Sequence, residues 1–306
     1  MEQQHMFTNR MIRNLLVPVV LEQILNSIMG TADTMMVSNV GSAALSAVSL
    51  VDSINVLLIQ AFSALAAGGA IVCAQYIGQR NYEKANMSAR QVLFIITAIS
   101  VVVSAVCLIF QKPLLRLIFG AVDADVMRAS ETYFFFTALS FPFIAAYDSA
   151  ASIFRAQENT KGPMAISMIS NIMNIGGNAV LIWVFHLGVA GAAISTLVSR
   201  IFCAVVVLWQ LRKDRQPVVV RDYLKIRPDW SMIGRILGLG IPSGIENSMF
   251  QLGKLAIQST VSTLGTAAIA AQAMTNILEN LNGIAAIGVG VGLMTIVGQC
   301  LGAGRK

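Results

Sequence analysis

Ionisable side chains are scarce in this chain. Asp, Glu, Lys and Arg make up 12% of 306 residues, about half the share usual in a water-soluble domain. That excludes a molecule with a charged surface facing water on all sides. Histidine occurs twice and cysteine four times. His5 and His186 are isolated, and Cys73, Cys107, Cys203 and Cys300 lie inside or at the end of apolar segments without a second ligand at metal spacing. They read as small apolar fillers and imply neither a zinc site nor a disulfide framework. No nucleotide-binding P-loop, nucleophile triad or metal-ligand cluster occurs, and Gly188 through Gly191 reads as a tight turn between apolar segments, so nothing points to an enzyme. A signal peptide is also missing: the first apolar stretch starts after Arg13, runs past Asp33 and has no small-residue cleavage pattern.

Apolar surface is what the chain has in quantity. Hydrophobic residues reach 56% and mean hydropathy is +0.71. With glycine counted and tyrosine left out the apolar share is about 62%, against about 45–50% in globular chains. No soluble sphere of this size hides so much, so lipid covers part of it and the chain is an all-α integral membrane protein. A hydrocarbon core of roughly 30 Å needs about 20 apolar residues in a helix. Eight segments qualify, at 13–37, 46–78, 90–110, 130–154, 164–186, 189–211, 233–259 and 268–300. The net charge of +6 and pI of 9.4 suggest nucleic acid only until the charges are placed in short clusters between the apolar runs, which removes that reading. With the N-terminus inside, sixteen Lys and Arg fall on the cytoplasmic side: Arg10 and Arg13; Arg80, Lys84 and Arg90; Arg155 and Lys161; seven from Arg212 to Arg235; and Arg305 and Lys306. Only Lys112, Arg116 and Arg128 fall on the other side. This asymmetry puts both termini in the cytoplasm of a multi-pass cell-membrane protein.

The sequence also repeats itself. At an offset of 224, Pro18 falls on Pro242, Glu22 on Glu246, Gly41 on Gly265, Gly68 on Gly292, Gln75 on Gln299 and Gly78 on Gly302. Between 15 and 80 the register gives 15 identities in 66 positions without a gap. Six predicted spans separate the copies, an even number, so they cross the membrane in the same direction: a parallel repeat, a transporter plan with binding at the repeat interface. The polar stretch at 212–232 then separates a six-helix N-terminal lobe, 1–211, from the first two helices of an incomplete C-terminal lobe, 233–306. An incomplete lobe leaves a face on its two helices uncovered, so the expectation is either lower stability than a chain with the full lobe or self-association through that face.

Four segments, in order, carry a resemblance: Ala32-Asp33-Thr34-Met35-Met36-Val37 leading to Gly41; Arg155-Ala156-Gln157-Glu158-Asn159-Thr160-Lys161-Gly162-Pro163-Met164; Gly188 through Thr196; and Val297-Gly298-Gln299-Cys300-Leu301-Gly302-Ala303-Gly304. Together they are similar to the MATE family of multidrug and toxic compound extrusion transporters, over essentially the whole chain. The resemblance implies two six-helix lobes around a central cavity that opens alternately to each side. It implies export of small organic, often cationic, compounds in exchange for H⁺ or Na⁺, with no cofactor beyond the coupling ion and with the lipid bilayer as partner. Asp33 matches the acidic residue of the family's first helix, implicated in cation coupling and a possible Na⁺ ligand. Asn174 and Asn178 match an Asn and an Asp of the fifth helix in one branch, so Asn178 departs from that pattern. The second-lobe carboxylate of the Na⁺-using branch belongs near Phe250, where none occurs. Family members have twelve helices, so eight read as a chain truncated in its second lobe. A non-transporting membrane fragment and a lipid-linked oligosaccharide flippase of the wider superfamily are the alternatives.

Charges inside apolar segments cost at least about 2.5–3.5 kcal/mol each on insertion scales, so each one needs a reason. Asp33 lies fifteen residues beyond Pro18, roughly 22 Å along a helix; it either binds a cation or caps an interface. Glu22 and Glu246, each four residues after a Pro, either flank the inner mouth of a cavity or complement a helix dipole from the first turn. Lys254 pairs with Asp33 or Glu279, or snorkels to the outer surface. Asp148 lines the cavity or hydrogen-bonds within the packing.

Overall fold

The computed structural model describes residues 8–119, 123–213, 217–220, 227–262 and 266–304. His5, Arg215, Arg221, Lys225, Gly265, Arg305 and Lys306, used above, lie outside them. The described residues form ten helices and no strand: α1 (Asn9–Ser38), α2 (Ser42–Gly78), α3 (Tyr82–Ile109), α4 (Gln111–Phe119), α5 (Ala124–Leu139), α6 (Phe141–Ala156), α7 (Lys161–Ala179), α8 (Val189–Leu211), α9 (Trp230–Ser262) and α10 (Thr266–Gly302). The last turn of α7 widens into a π-helical turn at Val180–Val184.

Local chemistry sets the helix starts. The Thr8 hydroxyl accepts from the Met11 N–H at 3.4 Å, Asn81 Oδ1 from the Lys84 N–H at 3.1 Å, and Asp229 Oδ1 from Ser231 and Met232 at 3.0 and 3.2 Å. Each satisfies amide groups that a helix start leaves without partners. Gly188 precedes α8 at φ +56°, a conformation glycine adopts without strain. Two prolines interrupt hydrogen bonding, and hydroxyls repair it. Pro18 cannot donate to the carbonyl one turn earlier, and the Thr160 hydroxyl donates to that Asn14 oxygen at 3.3 Å. Pro142 likewise frees Ala138, whose oxygen accepts from Ser104 Oγ at 2.8 Å.

Six described helices, or seven with a bent pair counted as one, are long and apolar enough to cross a membrane. The span expected at 130–154 falls on this bent pair: α5 and α6 meet at Ser140 with a 42° bend. α4 lies where a loop was expected. α9 forms at the expected place, although it is not among the helices apolar enough to cross. The membrane-crossing stretch of α10 is Asn282–Gly302. Phe62, Phe134, Phe141 and Phe154 centre the core, with the Phe62 and Phe141 rings edge to face at 6.1 Å.

The repeat is visible in the packing. α9 lies against α2, and α10 against α1 and α2. A Cβ on Gly68 would come within 2.6 Å of the Gly240 nitrogen, and one on Gly292 would strike the Leu16 side chain; Leu16 and Gly240 are themselves 224 apart. Further along, a Cβ on Gly78 would run into the Gln299 carbonyl and one on Gly302 into the Gln75 carbonyl. The two copies therefore cross each other by reciprocal contacts about a two-fold-like seam. The described part of the connector is tied down: Val218 N–H donates to Gln157 Oε1 at 2.9 Å and Val219 N–H to Asn86 Oδ1 at 2.7 Å.

Candidate coupling site and inter-repeat cavity

Asn174 and Asn178 are one helical turn apart and so share a face of α7; that face meets α1 at Asp33. Asn178 Nδ2 donates to Asp33 Oδ1 at 2.6 Å. The Asn174 amide satisfies its surroundings when its nitrogen faces Asp33, donating at 2.8 and 3.2 Å to the two carboxylate oxygens, with its oxygen accepting from Thr196 Oγ1 and N–H at 3.3 Å. Both asparagines are buried, at 2% and 1% exposure. The structure thus brings Asp33, Asn174 and Asn178 into one cluster, with Thr196 of α8 behind it.

Sequence reasoning missed one carboxylate of the next layer. Asp52, on α2, accepts from Asn55 Nδ2 and from the Tyr133 hydroxyl, each at 3.2 Å. Arg200 donates from Nη1 to Ser140 Oγ at 2.6 Å, and its charge acts on both Asp33 and Asp52. Asp52 carried its own signal: a carboxylate inside the apolar segment 46–78 meets the same insertion cost that singled out Asp33.

At the other end of α1, Glu22 is 3% exposed and forms an ion pair with Arg155 of α6 at 3.1 Å. The Tyr147 hydroxyl also reaches Glu22 Oε1, at 3.2 Å. This corrects the helix-dipole reading, because Glu22 sits well inside α1, whose first turn holds no acidic residue. Across the seam, Thr295 Oγ1 donates to the Arg155 carbonyl at 3.1 Å and Gln299 Nε2 to the Ala156 carbonyl at 2.9 Å, fastening α10 to the end of α6. Beside Ala156, in the turn before α7, burial pushes the Glu158 carboxyl above the usual carboxylate range, against a smaller opposing pull from the Gln299 side chain.

Between α2, α6, α9 and α10 lies a cavity of about 140 Å³. Gln60, Ser63, Ser152, Ser243, Asn247 and Thr295 give it neutral polar groups, Arg155 gives it a guanidinium, and Ala64, Ala67, Ala70, Val291 and Met294 complete it. Glu22, Asp148, Glu246, Lys254 and Glu279 do not line it. Asp148 sits on α6 with Arg155, Glu22 and Arg200 as its charged neighbours. Glu246 is exposed. Lys254 pairs with Glu279 at 2.7 Å, both half exposed, and stands 5.0 Å from the Phe250 ring centre.

The MatE family model matches residues 18–180 and 242–306, most of the chain. The chain belongs to the MatE family. This MatE chain is 28% identical over 94% of its length to a probable multidrug resistance protein YoeA of Bacillus subtilis and 25% identical over 95% to a probable multidrug resistance protein NorM of Thermotoga maritima. It spans 63% of the length of each. Among solved structures, an outward-facing multidrug resistance MATE family transporter of the MOP superfamily matches with a TM-score of 0.89 at 20% identity, covering 96% of this chain and 65% of the other. A MOP superfamily transporter from Pyrococcus furiosus matches equally well. At that identity the likeness speaks for the fold: an all-helical membrane bundle of the MATE type.

Proposed function

We propose that this MatE chain is part of a secondary antiporter that exports small organic compounds in exchange for H⁺ or Na⁺, moving between two states about the repeat seam, from a cell membrane with both termini in the cytoplasm. The observation that carries the reading is the Asp33 carboxylate held inside an apolar bundle by the Asn178 amide at 2.6 Å. The asparagine amides and Arg200 offset only part of the cost of a charge in that setting, so a cation bound there lowers it further, and gain and loss of the cation is a means of coupling. The printed names of the relatives, probable multidrug resistance proteins, support the same activity. The cavity lining favours compounds that bring hydrogen-bond acceptors as well as apolar surface, because it offers hydroxyls, amides and a guanidinium but no carboxylate.

The test is ethidium efflux from cells expressing three chains at equal level: these 306 residues, the same residues extended by the remainder of a full-length relative, and the extended chain with Asp33→Asn. Efflux by the extended chain that Asp33→Asn abolishes supports the reading, and the short chain beside it tells whether these residues transport unaided. Efflux that survives Asp33→Asn removes Asp33 from coupling.

A further inference from the structure

α7 with its π-helical turn and α8 pack side by side, and both are long and apolar enough to cross a membrane. A groove runs along the outside of the pair, apolar over its length and positively charged at the end that holds Lys161 and Lys213. We propose that this end binds the headgroup of an acidic phospholipid whose acyl chains lie along the groove. The proposal goes beyond the transport reading and needs only that the chain spans a membrane. In the orientation proposed above, the lipid belongs to the inner leaflet.

The line of contact between the two helices fixes the groove. Ser170 Oγ donates to the Ser199 carbonyl at 3.1 Å, and nearer the end of the bundle a Cβ on Gly162 would come within 3.3 Å of Gln210 Oε1. One residue back along a helix is a rotation of about 100°. Because α7 and α8 run antiparallel, one step back from the contact line on both brings the side chains to the same side. The residues so placed are Ile169 and Val198 at the first contact and Lys161 and Trp209 at the second, and all four are exposed. Ile172, three beyond Ile169, and Val205, four before Trp209, are also exposed and extend the two apolar rows.

The charged end has the make-up of a headgroup site. Lys213, one helical turn after Trp209, sets its Nζ 3.5 Å from the centre of the indole ring, and Trp209 is 58% exposed. An indole with an ammonium over its face belongs at the boundary between acyl chains and headgroups, and the ammonium keeps N–H groups for phosphate oxygens. Among the described residues neither Lys161 nor Lys213 forms an ion pair. The first turn of α7 holds no acidic residue, and Glu158, three residues before Lys161, is hydrogen-bonded to Gln299 of α10. After α8 the sequence reads Arg212-Lys213-Asp214-Arg215, three basic residues to one acidic.

Charge and shape select the occupant. Two ammonium groups without a paired carboxylate favour a partner of net negative charge. A zwitterionic headgroup brings an ammonium of its own and gains less. A soluble anion leaves the apolar rows uncovered. A second copy of the chain, meeting this face about a two-fold axis, sets the same ammonium groups against each other. An acidic phospholipid supplies both halves: phosphodiester oxygens for Lys161 and Lys213, and chains for Ile169, Ile172, Val198 and Val205.

The experiment uses Trp209 as its own reporter. The chain has three tryptophans, so Trp183→Phe with Trp230→Phe leaves Trp209 alone. This chain is placed in phosphatidylcholine nanodiscs that contain an equal, small fraction of either phosphatidylglycerol or phosphatidylcholine brominated on its acyl chains, which quench an indole they touch. The expected result is quenching by the brominated phosphatidylglycerol as though it were enriched about five-fold over its share of the bilayer, and quenching by the brominated phosphatidylcholine in proportion to its share. Adding Lys161→Gln and Lys213→Gln, with helix content unchanged, should bring the two lipids level. Comparing two lipids in one chain cancels the effect of the lost ammonium on the brightness of the indole. Equal quenching in the parent overturns the proposal, as does an enrichment that survives in the folded double variant or is lost as fully with Lys112→Gln and Arg116→Gln on α4. Absence of quenching by both lipids overturns it as well, and means that protein covers the groove.

Discussion

At the scale of single residues, the interior of this lobe is a set of charges that are tolerable only in company. Glu22 and Arg155 form a buried pair whose Tyr147 neighbour adds a hydrogen bond. Removing one partner of such a pair costs about 3–5 kcal/mol, because the other is left charged and desolvated, whereas replacing both with apolar or neutral groups is often nearly neutral. Arg155→Met is therefore expected to lower the thermal midpoint of the detergent-solubilised chain sharply, and Glu22→Gln added to it to recover most of the loss; additive losses would show that the two do not act as a pair. Glu158 makes a pH-dependent prediction. Its carboxyl is raised in the folded chain by burial, so folding favours the protonated form. That contribution is fully present below the unfolded carboxylate value and is lost as the pH rises through the higher folded value. Glu158→Gln, neutral at every pH, should raise the thermal midpoint at about pH 8 relative to the parent and match it near pH 4. A constant difference across that range would remove Glu158 as the cause.

At the scale of helices, close approach depends on what is missing from the side chain. Gly78 and Gly302 end α2 and α10, and each lies against the carbonyl of the glutamine three residues before its counterpart, Gln299 and Gln75. Either methyl would meet a backbone atom, which cannot rotate away. Gly78→Ala and Gly302→Ala should each separate the two helix ends, and a spin-label pair placed on Gln79 and Ala303 would report a longer distance; an unchanged distance would mean that the seam yields elsewhere. On the transporter reading both variants favour the state in which this end is open. Much of this level was legible in the sequence. Apolar length located the membrane helices, and the 224-residue register paired Gly68 with Gly292 and Gly78 with Gly302, glycines that make equivalent contacts in the two copies. The bend at Ser140 was not foreseen, because a span counted over about 20 residues sums hydropathy and is blind to one lost hydrogen bond; Pro142 was its signal. At the site, Asp33, Asn174 and Asn178 came with the family resemblance. Asp52 went unnoticed although its apolar run was a signal, and its placement near Asp33 depends on how α1 and α2 cross, which no local pattern encodes.

At the scale of the molecule, equivalent sequence positions occupy unequal environments. The reciprocal contacts of Gly68 with Gly240 and Gly292 with Leu16 show that α1–α2 and α9–α10 are built alike. Yet Glu22 is buried on α6 through Arg155, while its mate Glu246 is exposed. The cause is the neighbourhood. Arg155 of α6 closes over Glu22, whereas Glu246 stands open on the surface of α9. The same holds for the apolar side chains next to it: Ile245, Met249 and Phe250 are exposed at 56%, 67% and 60%, where lipid or further protein would cover them. If burial and pairing, and not residue type, determine what a carboxylate contributes, two identical substitutions at repeat-related positions must differ. Glu22→Gln leaves Arg155 charged without its partner and should destabilise the chain by a few kcal/mol, at the scale of about 3–5 kcal/mol for a broken buried pair. Glu246→Gln should stay within about 0.5 kcal/mol of the parent, as surface changes do. Thermal unfolding of the two variants in one detergent decides it. Equal losses would mean that Glu246 has a partner in solution, and the first place to look for it would be a second copy of the chain, whose monomer–dimer balance in nanodiscs should then shift with Glu246→Gln.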